Sequence, residues 1–326
     1  MEDYEKLLAE GYGLRLCHSR RTRKGLVLQT DRGAWELRKA QGDLTAVLFE
    51  HAVRCHTYER GFRQMEVWIP ARDGRPFVLG SEAAYVLSRY EKREDAVLDT
   101  AQDVARAAGT LARLHQAMAG VTAEGPKSGG HLIEDCEKKQ RELAHIRKWI
   151  YRQSRHSAVD ELVLRQYQRM HQRIVSAQEA LSGGAYSALC HQAEEERALC
   201  HHLFKKSVLE QDAKGNYWVT GFSQCTFDCP LTDLAEFLRR MLREDWFGLP
   251  QARQAMEGYE RETPLRKEEK ETLGAMLLFP ARYLKLLSGY YNKRRTIKNG
   301  AFLEKLTLSV AQSEKEEALA RALVQA

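Results

Sequence analysis

The chain has 326 residues, 29% of them charged and 43% hydrophobic, with only 7 prolines and a mean hydropathy of -0.54. That composition excludes a disordered chain and describes a helix-rich globular protein, long enough for two domains or one large bilobal unit. No run approaches the roughly eighteen apolar residues of a membrane span, and the N-terminal stretch MEDYEKLLAEGYG is acidic and polar, so neither a span nor a secretory signal is read and a cytosolic setting is expected. The net charge of +6 is spread evenly, which favours an acidic partner surface without implying nucleic acid. Cysteines stand at 17, 55, 136, 190, 200, 225 and 229, an odd number with no CxxC, which argues against a disulfide framework or a zinc ribbon.

Residues 1–90 read as short strands around one helix. Segments 14–17, 26–30 and 34–38 are strand-like, and Asp31-Arg32-Gly33 supplies a turn between the last two. From an N-cap at Asp43, Leu44, Val47, Leu48, Ala52 and Cys55 recur at helical spacing and predict one amphipathic helix. Strands resume at 66–69, 77–79 and 85–88, separated by the turn Arg72-Asp73-Gly74.

Beyond residue 90 the pattern is mostly helical. Val104, Ala105, Ala108, Leu111, Ala112 and His115 share one face of a helix running to Met118, and Gly and Pro break the chain over 124–130. Two long charged helices are expected at 132–153 and 158–181, ending at Gly183-Gly184. A β island follows, 199–209 and 217–222 around the turn Lys214-Gly215-Asn216, and then helices at 231–243, 250–260, 267–278, 280–290 and 300–323. No internal repeat or low-complexity tract is present. The expected architecture is α+β and bilobal, a small β-rich lobe over 1–90 and a larger helical lobe over 91–326.

A hairpin, a strand carrying a cation, a helix carrying an acid and a later β island among helices is the layout of a kinase. The resemblance becomes specific in Arg23-Lys24-Gly25-Leu26-Val27-Leu28-Gln29-Thr30-Asp31-Arg32-Gly33, in Thr110-Leu111-Ala112-Arg113-Leu114-His115, and in Asp228-Cys229-Pro230-Leu231-Thr232-Asp233-Leu234. Phe279-Pro280-Ala281-Arg282-Tyr283 and Tyr290-Tyr291-Asn292-Lys293-Arg294 add to it. Together these segments resemble the CotS-type spore coat proteins, a family built on the aminoglycoside phosphotransferase and choline kinase fold, and the likeness runs over nearly the whole chain.

In active relatives a lysine on the third strand neutralises the nucleotide phosphates. The matching position is Arg38, followed by Lys39, which reads equally as a solvated strand-end cation. Glu50 is either its ion-pair partner or a surface glutamate, and these two are the vestigial cofactor-binding positions. Residues 20–24 stand where a nucleotide-covering loop belongs but crowd it with cations beside the single Gly25.

The catalytic stretch, within 199–223, departs further. Relatives carry a His-Gly-Asp-like motif whose Asp is the base, with an Asn five residues later that holds magnesium. Here Cys200-His201-His202-Leu203 leads to Ser207 and Val208: matched from its start Leu203 replaces the Asp, and matched from its end His202 replaces it and Ser207 the Asn. The metal-binding acid of the Asp-Phe-Asp/Glu position is Gly221, before Phe222 and Ser223. Magnesium demands oxygen ligands, preferably charged, and Gly221 supplies no side chain at all. Asp233 reads as a helix cap, and Asp228 lies too far from Phe222 to replace the lost ligand.

The resemblance therefore implies a catalytically degenerate kinase-fold protein, a pseudokinase. It would serve as a structural or interaction component of the bacterial spore coat, made in the mother-cell cytoplasm and then built into the coat beside other spore coat proteins. No catalytic residue and no metal are expected, and no cofactor beyond weak, metal-independent ATP binding; membrane, nucleic acid and small-molecule substrates are not expected. Two other readings stay open: an active small-molecule kinase with relocated groups, His202 acting as base, and a nucleotide-binding switch without turnover.

Three further features carry expectations. Cys190-His191 and Cys200-His201-His202 have no compact zinc-finger spacing and read as chance neighbours. Cys225 and Cys229 flank a turn and could be exposed for cross-linking in the coat. The cations between Lys138 and Arg173 read either as a solvated helical hairpin or as a docking face for acidic coat partners, and Tyr290 to Arg295 either as an interaction patch or as packing of the helical lobe.

Overall fold

The computed structural model describes residues 4–292 and 299–324. It opens on helix α1 (Tyr4–Tyr12), which the polar N-terminal composition does not signal; its Leu7 and Leu8 are buried. Then come β1 (Leu16–Arg21), β2 (Leu26–Thr30), β3 (Gly33–Lys39), helix α2 (Leu44–Glu59), β4 (Val78–Leu79) and β5 (Ala84–Arg89). These strands form one antiparallel sheet in the order β1-β2-β3-β5-β4. The turn into β3 is tight, with Thr30 paired to Gly33, whose φ of 105° is a conformation that glycine adopts without strain.

Side chains alternate across the sheet, as pleated strands require. Leu28, Trp35, Leu37, Tyr85 and Leu87 pack with Leu7, Leu8 and Leu14 in one core cluster, while Val86 joins Val47 of α2, Trp68 and Phe77 in another. The expected strand at 66–69 is reduced to single bridges, Met65 to Val219 and Trp68 to Ser88, with Pro70 unable to extend the ladder.

Helix α2 starts where expected, the Asp43 carboxylate accepting from the Ala46 N–H at 2.8 Å. Its buried face is not the expected one. Val47, Phe49, Glu50, Val53, Arg54 and Thr57 are buried, whereas Leu44 and Leu48 are 45% and 49% exposed. The inward face carries the Glu50–Arg54 ion pair beside Val47, Phe49 and Val53, and Leu44 and Leu48 fall outside it.

The remainder runs β6 (Glu94–Asp95), α3 (Ala101–Met118), α4 (Leu132–Tyr151), α5 (Ala158–Leu181), α6 (Ala185–Glu195), β7 (Leu199–Cys200), β8 (Leu209–Gln211), β9 (Tyr217–Val219), β10 (Thr226–Phe227), α7 (Leu231–Met241), α8 (Leu249–Glu260), α9 (Lys267–Leu278), α10 (Ala281–Asn292) and α11 (Asn299–Val324). By contacts the chain divides into two compact units. The first comprises the described residues of Met1–Leu98, Thr110–Lys127 and Glu196–Phe227, so the 199–223 stretch belongs with the N-terminal sheet; the second holds Asp99–Gly109, Ser128–Glu195 and the described residues of Asp228–Ala326.

In the first unit, β8 pairs with β6 and β9, and β7 pairs with β10. In the second, α9 packs against α5, α6, α7 and α11, and α4 lies along α5. A capping box starts α5, Ser157 and Asp160 exchanging bonds of 2.8 and 3.2 Å. Gly258 of α8 lies against the first turns of α3: a Cβ there would stand 2.1 Å from the Ala105 carbonyl oxygen, so only glycine allows the approach.

Candidate functional site

The first unit holds both halves of the expected site. On β3, Glu36 and Arg38 are two residues apart and so share a face. The Arg38 guanidinium bonds Glu36 at 2.5 Å and grips Glu66 with both terminal nitrogens, at 2.7 and 2.8 Å. Burial opposes its charge, but Glu66 and Glu36 more than offset that and hold it firmly protonated. The pair considered between Arg38 and Glu50 is not made. Glu50 is buried and taken by Arg54, one turn on along α2, at 2.6 and 3.0 Å.

Around these residues the ion pairs close into a network. Arg93 bonds Glu66 at 2.7 Å and Glu210 at 2.9 Å, and Lys24 contacts Glu210. Arg54 also donates to the Glu66 carbonyl at 2.8 Å, its guanidinium 4.8 Å from the Trp68 ring and 4.6 Å from the Phe222 ring. Burial alone would raise the Glu66 pKa, but Arg38, Arg54 and Arg93 outweigh it and hold the carboxyl below its ordinary value. Lys24 is pushed down, by burial first and by the charge of Arg38 second. The cations Lys24, Arg38, Arg54 and Arg93 are thus matched by Glu36, Glu50, Glu66 and Glu210.

The loop expected to cover a nucleotide is closed upon itself. The backbone N–H groups of Lys24 and Gly25 donate to the Thr22 hydroxyl at 3.2 and 3.1 Å, and Thr22 N–H donates to the Gly25 carbonyl at 2.8 Å. Those amides are the groups a phosphate would need. Gly25 is required for another reason, since a Cβ would lie 2.4 Å from the Leu37 carbonyl oxygen on the neighbouring strand.

After β7, His201 is fully buried. Its Nδ1 accepts from the Leu203 N–H at 3.3 Å, which leaves Nε2 to donate to the Thr220 carbonyl at 3.1 Å. The ring stands edge-on to Phe222, 5.0 Å between centroids, and to Phe204 at 6.3 Å. His201 therefore ties the catalytic stretch to the segment entering Gly221. His202 follows with φ 57°, a left-handed conformation unusual outside glycine.

Leu203 is half-buried, Ser207 is exposed, and Val208 is buried at the end of the 3-10 turn Lys206–Val208. Gly221 takes φ 80°, and its ideal Cβ position lies 3.4 Å from the Val208 side chain. The Thr220 N–H and hydroxyl both donate to the Val208 carbonyl, at 2.9 and 3.1 Å, which fixes the two segments side by side. In the register that sets Val208 at the Asn position, a methyl group and a glycine face each other, and neither offers the oxygen donors that magnesium takes.

Other expectations resolve differently. Cys225 and Cys229 are 3% and 4% exposed, so the cross-linking role suggested for them is not supported; the burial that hides them also pushes the Cys229 thiol up to about 12. Asp233 lies inside the first turn of α7 rather than capping it, Pro230 holding the N-cap position. In the C-terminal motif Tyr290 stacks on Phe302 at 4.3 Å and Tyr291 donates to Asp160 at 2.7 Å, so both tyrosines pack within the second unit; residues 293–295 lie outside the described residues.

The sequence reading missed Glu36, Arg54, Glu66, Arg93 and Glu210. Glu36 and Arg54 had local signals, a two-residue offset from Arg38 and a four-residue offset from Glu50. Glu66, Arg93 and Glu210 had none, because only the folded chain brings them together.

Solved structures similar to this chain include phosphotransferases and a choline/ethanolamine kinase family protein. An aminoglycoside phosphotransferase from Alicyclobacillus acidocaldarius superposes with a TM-score of 0.84 at 18% identity, covering 95% of this chain and 92% of its own. A spectinomycin phosphotransferase in complex with ADP and spectinomycin gives 0.60 at 10% identity over 99% and 98%. A choline/ethanolamine kinase family protein from Mesorhizobium loti gives 0.55 at 17% identity over 98% and 97%. The chain thus has the kinase-like α+β fold of the aminoglycoside phosphotransferase and choline kinase type. Residues 5–323 match the family described as "Spore coat putative kinase YutH", and the chain belongs to that family. No curated protein matches it by sequence. Among the described residues no helix is long and apolar enough to cross a membrane.

Proposed function

We propose that this protein is a catalytically degenerate kinase-fold component of the spore coat that works by binding other coat proteins. The observation that carries the reading is the contact between Val208 and Gly221. These are the positions from which active kinases supply magnesium with an Asn and an acidic ligand, and here they present a hydrocarbon side chain and no side chain. His202 supports the register. Its φ of 57° is a conformation that favours glycine, which supports reading His202 at the motif's glycine, Leu203 at the base position and Val208 at the Asn position.

The nucleotide half points the same way. Arg38 is committed to two carboxylates, and the covering-loop amides are bonded to Thr22, so little uncompensated positive charge remains to draw in phosphates. ATP binding is accordingly weak and independent of magnesium. The coat setting rests on family membership, and the protein would reach it from the mother-cell cytoplasm.

The test is a phosphotransfer assay with ATP, magnesium and aminoglycoside, choline or sugar acceptors. No turnover above the buffer control is expected. Turnover that disappears in His202→Ala would overturn the reading and establish a kinase with a relocated base.

A further inference from the structure

The second unit contains a cationic cluster that its own carboxylates do not balance. Arg173 of α5 donates to the Leu277, Leu278 and Ser313 carbonyls at 3.0, 3.0 and 2.8 Å and pairs with Glu316 at 3.3 Å. Arg239 of α7 donates to the Met276 and Phe279 carbonyls and pairs with Glu236 at 2.6 Å. These bonds cap the C-terminal end of α9, and they use up both carboxylates at close range.

Three more guanidinium groups stand beside them. Arg240 reaches Glu236 only at 3.8 Å, and its Nε is buried without a hydrogen-bond partner. Arg282, at the start of α10, donates to the neutral Gln312 amide oxygen at 2.5 Å, and Gln312 in turn donates to the Arg239 carbonyl at 2.8 Å, which ties α10 to α7. Arg243 lies one turn beyond Arg240, its N–H on the Arg240 carbonyl at 3.3 Å, and it makes no ion pair among the described residues. Burial first, then the charges of Arg282 and Arg240, push Arg243 below its ordinary value, while burial raises Glu316 and weakens it as a counter-ion. Lys315 adds another cation nearby, its ammonium on the Glu244 and Phe247 carbonyls at 3.0 Å each.

We propose that Arg240, Arg243 and Arg282 form an oxyanion site that takes phosphate, or the phosphoryl group of a larger ligand. Three guanidinium groups with one distant carboxylate, Glu236, between them repel one another, and a multiply charged oxyanion is the ligand that removes that cost. The planar fork of arginine suits it, because each guanidinium can offer two parallel N–H donors to a phosphate edge. The site lies wholly within the second unit and is separate from the degenerate nucleotide site. It also gives a task to Phe279-Pro280-Ala281-Arg282-Tyr283, a motif that the kinase chemistry leaves unused.

The experiment is a calorimetric titration of the full chain with inorganic phosphate, with phosphoserine and with serine, chloride holding the ionic strength constant. Phosphate and phosphoserine are expected to bind saturably at one site and serine not at all. Arg243→Gln, an exposed position whose change leaves folding intact, is expected to weaken binding about tenfold by removing a charge-assisted bond, and Arg240→Gln to act likewise. Arg165→Gln, exposed on α5, is expected to leave it unchanged. Tighter binding of phosphoserine than of phosphate assigns the site to a phosphorylated side chain, and equal affinity assigns it to the free anion; both support the site. Absence of binding, or binding that Arg243→Gln leaves untouched, would reduce the site to an adventitious ion only and overturn the proposal.

Discussion

Arg54 shows how one residue can redirect a neighbouring carboxylate. In an active kinase the helix acid would hold the strand cation; here Arg54 intercepts Glu50 and packs its guanidinium against Trp68 and Phe222. Arg54→Ala would leave Glu50 buried with its partner gone, and a loss of about 3–5 kcal/mol in unfolding free energy is expected from denaturant titration. Glu66 sets a pH limit on the same network. A carboxyl whose folded pKa lies below its unfolded value contributes stability above the unfolded value, near 4.5, and loses it as pH falls through the folded one. Stability should therefore decline below about pH 4.5 in the native protein, and Glu66→Gln should flatten that acid limb in pH-dependent melting. An acid limb of the same slope in both proteins would contradict the assignment.

Helix α2 also marks the limit of reading elements from periodicity. Its start was legible in Asp43 and its helical character in the apolar spacing, but its inward face was not, since the inward positions include a glutamate and an arginine that a hydrophobic pattern counts as polar. Phe49→Ala should cost about 3–5 kcal/mol, because the ring is buried 5.8 Å from that of Phe227 and fills the space above Gly125. Leu44→Gln and Leu48→Gln should change stability by less than about 0.5 kcal/mol. The α4–α5 hairpin was placed well, and its cations divide into two sets. Arg169 and Arg173 are spent on Glu314, Glu317 and Glu316, and Arg147 lies 4.4 Å over the Tyr167 ring. Lys138, Arg141, Lys148, Arg152 and Arg155 are exposed and can meet an acidic partner. Lys148→Glu with Arg152→Glu should weaken co-sedimentation with coat extract at low salt and leave the melting temperature unchanged. Undiminished co-sedimentation would identify the hairpin as a solvated face.

For the whole molecule, the kinase-like fold could be read from the sequence because its signals are local: hairpin turns, one capped helix, a β island among helices. Helix α6 went unseen between Gly184 and the β island, and the ion-pair network around Glu66 joins residues as far apart as Lys24 and Glu210. What the sequence made legible was that neither Leu203 nor Gly221 carries a carboxylate, and the structure adds that the Val208 side chain lies against Gly221. The most direct measurement is calorimetric ATP binding with and without magnesium, on the native chain and on Leu203→Asp combined with Gly221→Asp; aspartate tolerates the left-handed backbone at 221 better than most residues. The native chain is expected to bind ATP weakly, with the same affinity in both conditions, and magnesium dependence is expected only in the double variant. Tight ATP binding by the native chain that requires magnesium would contradict a degenerate site.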